Sequence, residues 1–403
     1  MSYVDNEHNP KELKGDLVGT GSNLDPWFNV NSAARKAMFA THIGQAPVVK
    51  GAEPRRNMTG FELEYARHTF KVAFPEDAQI IRAVRKYPPK ISGGSFAENP
   101  LTVVIYENFE DKVAGVLEVP LYHSLHQDFG FRYKRNREVQ DKLFPGSLIP
   151  KDEPIATSPA VTQDGLYGMG VEVECAFLSM PGTIEDGFIF SESLLEKMTA
   201  TGYHTRVGGW GRKAIPLNIY GDEKTYKPFP DIGDVVPDHG VIFATRDYNE
   251  NLAPAEMTSR ALRTIDYAFD NIVTGKPGAR VIDITVYHDS ERQPAQTPES
   301  MCEQARRYYD AQVTFYQTII EEYQKLFQQH KRRGRVLQIT PQFNQLLVEA
   351  YLFLPVKEGR KLSRMYRLDP LDEWRVEVTY EYEMKPSLGY KYTDFHGIFR
   401  DLS

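Results

Sequence analysis

LTVVIY at 101–106 and VAGVLEV at 113–119 are the runs on which the fold class turns. Both are short apolar segments bounded by turn residues, which is how strands read in a sequence. VEVECAFL at 171–178 reads the same way, and RVEVTYEYEM at 375–384 alternates apolar and polar residues cleanly. A different texture begins after about 290. Thr297-Pro298-Glu299 offers an N-cap, a proline at the first helical position and an early carboxylate. Ala305, Tyr309, Val313, Tyr316, Ile320, Tyr323 and Phe327 then recur at helical spacing. Lys331, Arg332 and Arg333 precede Gly334, a basic last turn closed by a left-handed cap. Thr340-Pro341 opens a second helix that must stop near Pro355, and residues 31–46 can form another, capped by Asn31 or Ser32. The sequence predicts a β-rich α+β chain with a helical insertion.

Composition narrows the function classes. The chain has 403 residues, 41% hydrophobic and 26% charged, enough apolar material for a large core. That length suggests roughly two to three domains. A formal charge of −7, from 48 basic and 55 acidic residues, excludes nucleic-acid binding by bulk attraction. Any polyanion contact must be local. Cys175 and Cys302 stand too far apart for a zinc pattern, exclude a disulfide scaffold and fit a reducing compartment. The N-terminus lacks the features of a signal peptide, and the longest apolar stretch, Leu346–Val356, contains Glu349 and ends near Pro355. A soluble intracellular protein without a membrane span is expected.

Several segments could carry chemistry, each with a plainer reading beside it. MPGTIEDGFIFSE at 180–192 holds the adjacent carboxylates Glu185 and Asp186. Neighbours on a regular strand face opposite ways, so both reach one metal only from an irregular turn, which Gly182 and Gly187 permit. Hard oxygen ligands of this kind suit magnesium; an exposed acidic turn is the plainer reading. Arg35 and Gln45 offer a fork-shaped cation and an amide ten residues apart, and Arg35 can grip a phosphate bidentately or lie idle on the surface. FRYKRNR at 131–137 interleaves bases with aromatics, as a phosphate-tracking groove or a charge-blunted strand edge would. KRRGR at 331–335 reads more simply as a helix end than as a phosphate patch, and the aromatic stripe before it as packing surface. KPSLGYKYTDFHG at 385–397 places Lys391 and His396 beside glycines, where a lone histidine is ordinarily structural.

Taken in order, these segments resemble the β subunit (second-largest subunit) of multisubunit DNA-dependent RNA polymerases. ARKAMFATHIGQAPVV at 34–49 is similar to the family's fork signature, and Thr59-Gly60-Phe61-Glu62 follows at the matching distance. ATSPAVTQDGLYGMGVEVECAFLSMPGTIEDGFIFSE at 156–192 resembles the run leading to the family's Glu-Asp pair. DIGDVVPDHGVIFA at 231–244 and GARVIDITVY at 278–287 resemble strands around the flap. EVTYEYEMKPSLGYKYTDFHG at 377–397 resembles the approach to the Gly-Asp-Lys…Arg-His-Gly motif. Residues 63–150 and 290–360 are covered only loosely. Departures stand at the turn before Glu185, which is short, at Tyr390 in place of Asp, and at Phe395 in place of Arg. Ile398-Phe399-Arg400 replaces Asn-Lys-Gly, so a second phosphate-binding lysine is absent unless Arg400 substitutes. The chain starts just before the fork motif and stops inside the His-Gly motif. It therefore looks like one piece of a split β subunit of the kind in giant (phiKZ-like) bacteriophage polymerases, or a gene interrupted by an intron.

The resemblance implies a β-rich α+β fragment with part of a double-psi β-barrel and a wall/flap region carrying the helical insertion. It implies four regions: an N-terminal arm and fork (1–62), a hybrid-binding region with part of the barrel (63–200), the wall/flap (201–374) and return strands (375–403). The implied activity is template-directed nucleotidyl transfer. Glu185 and Asp186 would act toward a second, substrate-borne Mg2+, Arg35 toward the NTP triphosphate, and Gln45, Lys391 and His396 toward the RNA 3′ end. The implied partners are other β fragments, a β′-like chain holding the first metal, the DNA template, the RNA–DNA hybrid and NTPs. The implied place is the infected bacterial cell, with virion packaging the other possibility. Two rivals stand beside it: a noncatalytic polymerase-derived virion or nucleic-acid-binding protein, and a Mg-dependent hydrolase using the acidic pair.

Overall fold

The runs at 101–106 and 113–119 form neighbouring strands. In the computed structural model, Ala78–Arg85 (β1), Leu101–Asn108 (β2) and Ala114–Pro120 (β3) form an antiparallel sheet with Leu148–Ile149, in the order β3-β2-β1-(148–149). The structure describes residues 19–92, 98–125, 128–168, 170–176, 178, 179, 181, 182, 187, 189–247, 258–289, 297–354, 368, 371–388, 391–393 and 399–401. Val103, Val104 and Ile105 on β2 are all fully buried, because this strand has packing partners on both faces. One face meets Phe74, Phe131 and Ile155, and the other meets helices.

A second sheet lies at the centre. Tyr122–Ser124 (β4), Phe129–Arg132 (β5), Ala200–Gly211 (β6), Arg280–His288 (β8) and Asp372–Met384 (β9) are ordered β8-β9-β6-β5-β4, all antiparallel; Val241–Asp247 (β7) belongs to a smaller sheet with Ala214–Pro216 and Asn271–Thr274. The alternation read at 375–384 is realised in β9: Trp374, Val376, Val378, Tyr380 and Tyr382 enter the core beside Trp210 and Val286. Register shifts at Ile80/Arg82, Val281/Asp283 and Trp210/Gly211 mark bulges, which bend strands and raise their twist. The outer side of β8 meets backbone at its start, where the Gly233 N–H donates to the Val281 carbonyl at 2.8 Å, and side chains further along. The Tyr87 hydroxyl donates to the Ile284 carbonyl, and Gln312 Nε2 donates to the Val286 carbonyl at 3.0 Å.

The five helices named here are Ala33–Gln45 (α1), Glu62–Arg67 (α2), Glu192–Lys197 (α3), Glu299–Arg332 (α4) and Pro341–Phe353 (α5). Ser32 caps α1, accepting from the Arg35 N–H, and Thr340 caps α5, accepting from the Phe343 N–H at 3.3 Å. Pro298 rather than Thr297 is the cap residue of α4. Gly334 adopts φ 70°, as the left-handed cap requires. Phe315, Ile319 and Leu326 of α4 and Phe343, Leu346 and Leu347 of α5 pack on Val84, Val103, Ile105 and Val116 of the first sheet. The helical segment therefore shares a core with residues far earlier in the chain.

Two expectations are corrected. Residues 171–176 pair with no strand; they run outside any ladder, and Val173 and Leu178 are about half exposed or more. Apolar alternation marks a face that wants cover, but without a neighbouring strand the backbone has no ladder to join. On α4 the expected Ala305 and Ile320 are buried and Tyr309, Val313, Tyr316 and Tyr323 half-buried, but the stripe is centred on Tyr308, Phe315, Ile319 and Leu326, and Phe327 is exposed. Buried Gln304, Gln312, Glu322 and His330 complete that stripe, so counting apolar residues alone misplaces its centre. The mixed α+β class is as expected.

Candidate functional site

A buried ion pair anchors the segment that follows α1. Glu62 is 1% exposed and Arg55 4%. Arg55 Nη2 donates to Glu62 Oε1 at 2.6 Å, and Arg55 Nη1 donates to the Leu24 carbonyl. Glu62 also accepts from the Thr59 N–H at 2.8 Å, the Thr59 hydroxyl at 3.0 Å and the Gly60 N–H at 2.7 Å. Burial pushes the Glu62 carboxyl upward, but the Thr59 hydrogen bonds and the Arg55 charge outweigh it and hold it below the ordinary carboxylate value. Burial lowers the Arg55 guanidinium despite the opposing pull of Glu62. Glu62 is the first residue of α2, and its carboxylate folds back over the turn before the helix to accept the Thr59 and Gly60 N–H groups.

α1 stands on this node. Phe39 and Ile43 are buried with Leu24 against Phe61, Tyr65 and Tyr167. Packing of that face turns Arg35 and Gln45 outward, and both are exposed. They lie about 15 Å apart along the helix axis, at 1.5 Å per residue. Arg35 Nη1 approaches Met38 Sδ at 3.9 Å.

The chain after α1 is then stitched by its backbone to two distant segments. Val49 bridges Ala200, the Lys50 N–H donates to the Thr199 carbonyl at 2.9 Å, and the Gly51 N–H to the Lys197 carbonyl at 2.8 Å. A Cβ on Gly51 would lie 2.7 Å from the Lys197 Cβ, so only glycine allows this approach. The Glu53 N–H donates to the Gly170 carbonyl at 2.9 Å, and the Glu172 N–H to Glu53 Oε1 at 2.9 Å. Side chains extend the contact to β9: Lys50 pairs with Glu383, and Lys385 with Glu196. Those two pairs are exposed and hold little energy. The backbone bonds carry the geometry.

The expected site residues fall unevenly on this frame. Arg35 and Gln45 are described and share one helix. Glu185, Asp186 and His396 lie outside the described residues. Lys391 lies in a short strand, Lys391–Thr393, paired with Phe399–Asp401, and of its side chain nothing is described. Asp186 precedes α3 by six residues, and Lys391 follows Lys385 by six. The stitched junction thus binds three segments that each adjoin an expected site residue. Among the described residues no three His, Cys, Asp or Glu side chains gather as a metal site.

FRYKRNR proves to be largely interior. Phe131 and Tyr133 are buried, Arg132 makes a two-pronged pair with Glu381 at 2.6 Å, and Arg135 Nη2 donates to the Pro120 carbonyl at 2.7 Å. Burial lowers the Arg135 guanidinium to about 10. Lys134 and Arg137 are exposed. Sequence reasoning missed Arg55 as the partner of Glu62. Residues seven apart do not touch on a regular helix or strand, so no local spacing announces the pair.

No family model matches the chain. The DNA-directed RNA polymerase subunit beta of Thermosipho melanesiensis is 28% identical over 193 residues, 47% of this chain and 15% of that protein. The corresponding subunit of Lawsonia intracellularis is 25% identical over 224 residues, 54% of this chain and 15% of that protein. The match spans about half of this chain and a small part of each relative. This chain is distantly similar to part of a polymerase β subunit. Among the described residues no helix is long and apolar enough to cross a membrane.

Proposed function

We propose that the chain is a β-like portion of a multisubunit DNA-directed RNA polymerase, one piece of a split β subunit in a phage-encoded enzyme. The observation that carries this reading is the junction of Lys50, Thr199 and Glu383. It brings the segment that follows α1, the run that follows α3 and the end of β9 to one place, and each of these adjoins a stretch on which the sequence resemblance rests. In this reading the four sequence regions (1–62, 63–200, 201–374 and 375–403) are fork, hybrid-binding region with part of a double-psi barrel, wall/flap with helical insertion, and return strands.

Each residue has a role within that reading. Arg35 neutralises the NTP triphosphate, while Gln45, Lys391 and His396 hold the RNA 3′ end. Glu185 and Asp186 face the substrate-borne metal. Their donor set fits Mg2+, being hard carboxylate oxygens next to a glycine turn, with Gly182 at φ 95°. When bound, the ion supplies Lewis-acid stabilisation of charge on the triphosphate. Two carboxylates cannot fill its coordination, so substrate oxygens and a β′-like chain complete it. Val173, Leu178 and Ile189 are exposed along the run around the pair. A completing β fragment or β′-like chain would cover them.

The test is assembly and synthesis. The tagged full chain is expressed with β-completing and β′-like chains and assayed for template-dependent extension of an RNA primer with Mg2+ and NTPs. Extension is expected from the complete set and absent from the chain alone. A chain that is active as a monomer would overturn the reading and favour the hydrolase. Co-purification with structural virion proteins in place of a β′-like chain would favour the noncatalytic alternative.

A further inference from the structure

Phe327 stands where helical periodicity expects packing, yet Leu326 takes the core position at 3% exposure and Phe327 is left 44% exposed. One turn earlier Tyr323 is held edge-on by Phe343, with ring centroids 5.9 Å apart, and stands 6.5 Å from Phe327 at an interplanar angle of 34°. The two rings lie on an open, one-sided surface groove formed by α4 alone, which also takes in Glu321, Gln324, Lys325, Gln328, Gln329 and Arg332. Residues four apart stack along a helix face. Tyr323, Phe327 and Lys331 therefore form one row, and Gln324, Gln328 and Arg332 the row beside it. From 323 to 332 the floor is about 14 Å long, at 1.5 Å per residue.

The groove runs into a cluster of positive charge. Lys331, Arg332, Arg333 and Arg335 stand at the end of α4, in a chain whose net charge is −7. Cations at a helix end are explained without a ligand when they satisfy its last carbonyls. Here the backbone does that. The Arg333 N–H reaches the Gln329 and His330 carbonyls at 3.2 and 3.0 Å, the Gly334 N–H the Lys331 carbonyl at 3.0 Å, and the Arg335 N–H the His330 carbonyl at 2.9 Å. Among the described residues none of the four cations forms an ion pair, whereas Lys325 is tied to Glu322 at 2.8 Å. Glu321 is the groove's own acid, more than two turns from that end.

We propose that this groove binds single-stranded nucleic acid, two or three nucleotides along the second half of α4. Bases stack on Phe327 and the exposed part of Tyr323, the amides of Gln324 and Gln328 meet base edges, and Lys331, Arg332 and Arg333 take the phosphates. Flat rings followed by unpaired cations are the combination that single strands use. An acidic peptide would use the cations and leave the rings idle. The inference does not rest on the polymerase reading, since no groove residue belongs to the stitched junction.

The test is fluorescence anisotropy with the full chain, using labelled dT12 and rU12 oligonucleotides in a salt titration. Phe327→Ala should weaken binding about tenfold, since one base stack is lost. Lys331→Glu, Arg332→Glu and Arg333→Glu together should weaken it further and lower the salt slope by about two, at roughly 0.7 per phosphate contact. A charge-matched control reversing exposed Lys90, Lys213 and Lys224 should leave the slope near that of the parent chain. Preference for either oligonucleotide supports the proposal and names the strand type. No binding by the parent chain, equal losses from control and groove reversals, or a folded Phe327→Ala that binds normally would overturn it. The polymerase reading is tested separately by primer extension with the assembled set, so its failure and failure of the groove are told apart.

Discussion

Phe343 is fully excluded from solvent and Glu62 is 1% exposed, but different physics holds their surroundings together. Phe343 sits among Phe315, Ile319, Val103 and Val116, where burial of apolar area stabilises and no group needs a named partner. Glu62 sits among Arg55, Thr59 and Gly60, where desolvation opposes folding and specific hydrogen bonds offset it. The first region should tolerate apolar side chains of about the same volume. The second tolerates very few changes, and it is the one that adjoins the candidate site.

The largest effects test that contrast directly. Glu62→Ala leaves the Arg55 charge buried and two backbone N–H groups unpaired, so it should cost about 3–5 kcal/mol. Phe343→Ala should cost about as much through cavity formation, roughly 3–5 kcal/mol. The two differ in rescue. Adding Arg55→Met to Glu62→Leu should recover part of the loss, because no charge is then stranded. Removing a neighbour of Phe343 should only enlarge the cavity. Urea midpoints of the full chain measure all of these, and a Glu62→Ala shift equivalent to less than about 1 kcal/mol would break the comparison. Acid gives a second reading of the same node. The folded Glu62 carboxyl lies below its unfolded value, so its stabilisation is complete above the unfolded pKa, about 4.3. It is lost as pH falls through the lower folded value, and Glu62→Gln should lack this component.

On the proposed polymerase reading, the effects next in size fall on RNA synthesis by the assembled set of chains. Replacing Glu185 and Asp186 with Ala should lower the nucleotide addition rate more than about tenfold, which corresponds to roughly 1.4 kcal/mol or more of transition-state stabilisation. Template binding should persist. An assembled complex with unchanged elongation at limiting nucleotide would remove the pair from its role. Arg35→Ala should raise the apparent KM for NTP severalfold, and Lys391→Ala should weaken retention of a short RNA primer with little change in KM. Equal changes in both parameters from both variants would mean nonspecific electrostatics.

The same contrast explains what could be read from the sequence. The strands at 101–119 and 375–384, the caps at Ser32 and Thr340 and the left-handed Gly334 are local signals, written by periodicity and turn chemistry within a few residues. Each stands where it was read. The run at 171–178 carried a strand signal too, but a strand also needs a neighbour, and that is not a local property. For the candidate site, the outward placement of Arg35 and Gln45 follows from the helix face. The union of residues 49–51 with 197–200 does not. It depends on backbone bonds across about 150 residues and on a glycine whose missing Cβ admits Lys197. Arg55 and Glu62 were visible as charges, but their pairing depends on burial, which no interval of seven encodes.

The smallest expected effect separates backbone from side chain within the junction itself. Lys50 does two things: its N–H donates to the Thr199 carbonyl, and its ammonium pairs with Glu383. The ammonium and carboxylate are about half exposed, so solvent screens them, and such pairs contribute less than about 1 kcal/mol. Lys50→Ala keeps the N–H and should change the urea midpoint little, with any difference vanishing at high salt. Gly51→Ala alters no charge, yet its Cβ would press on the Lys197 Cβ at 2.7 Å, a clash that neither backbone can relieve without moving. It should therefore destabilise more than Lys50→Ala, and its loss should be indifferent to salt. On the proposed polymerase reading it should also lower the addition rate, because shifting residues 49–51 against 197–200 moves α1 relative to α3. If Lys50→Ala proves the more damaging of the two, the ion pair rather than the backbone fixes the junction. The contrast between the two regions would then rest on charges at the surface as well as within.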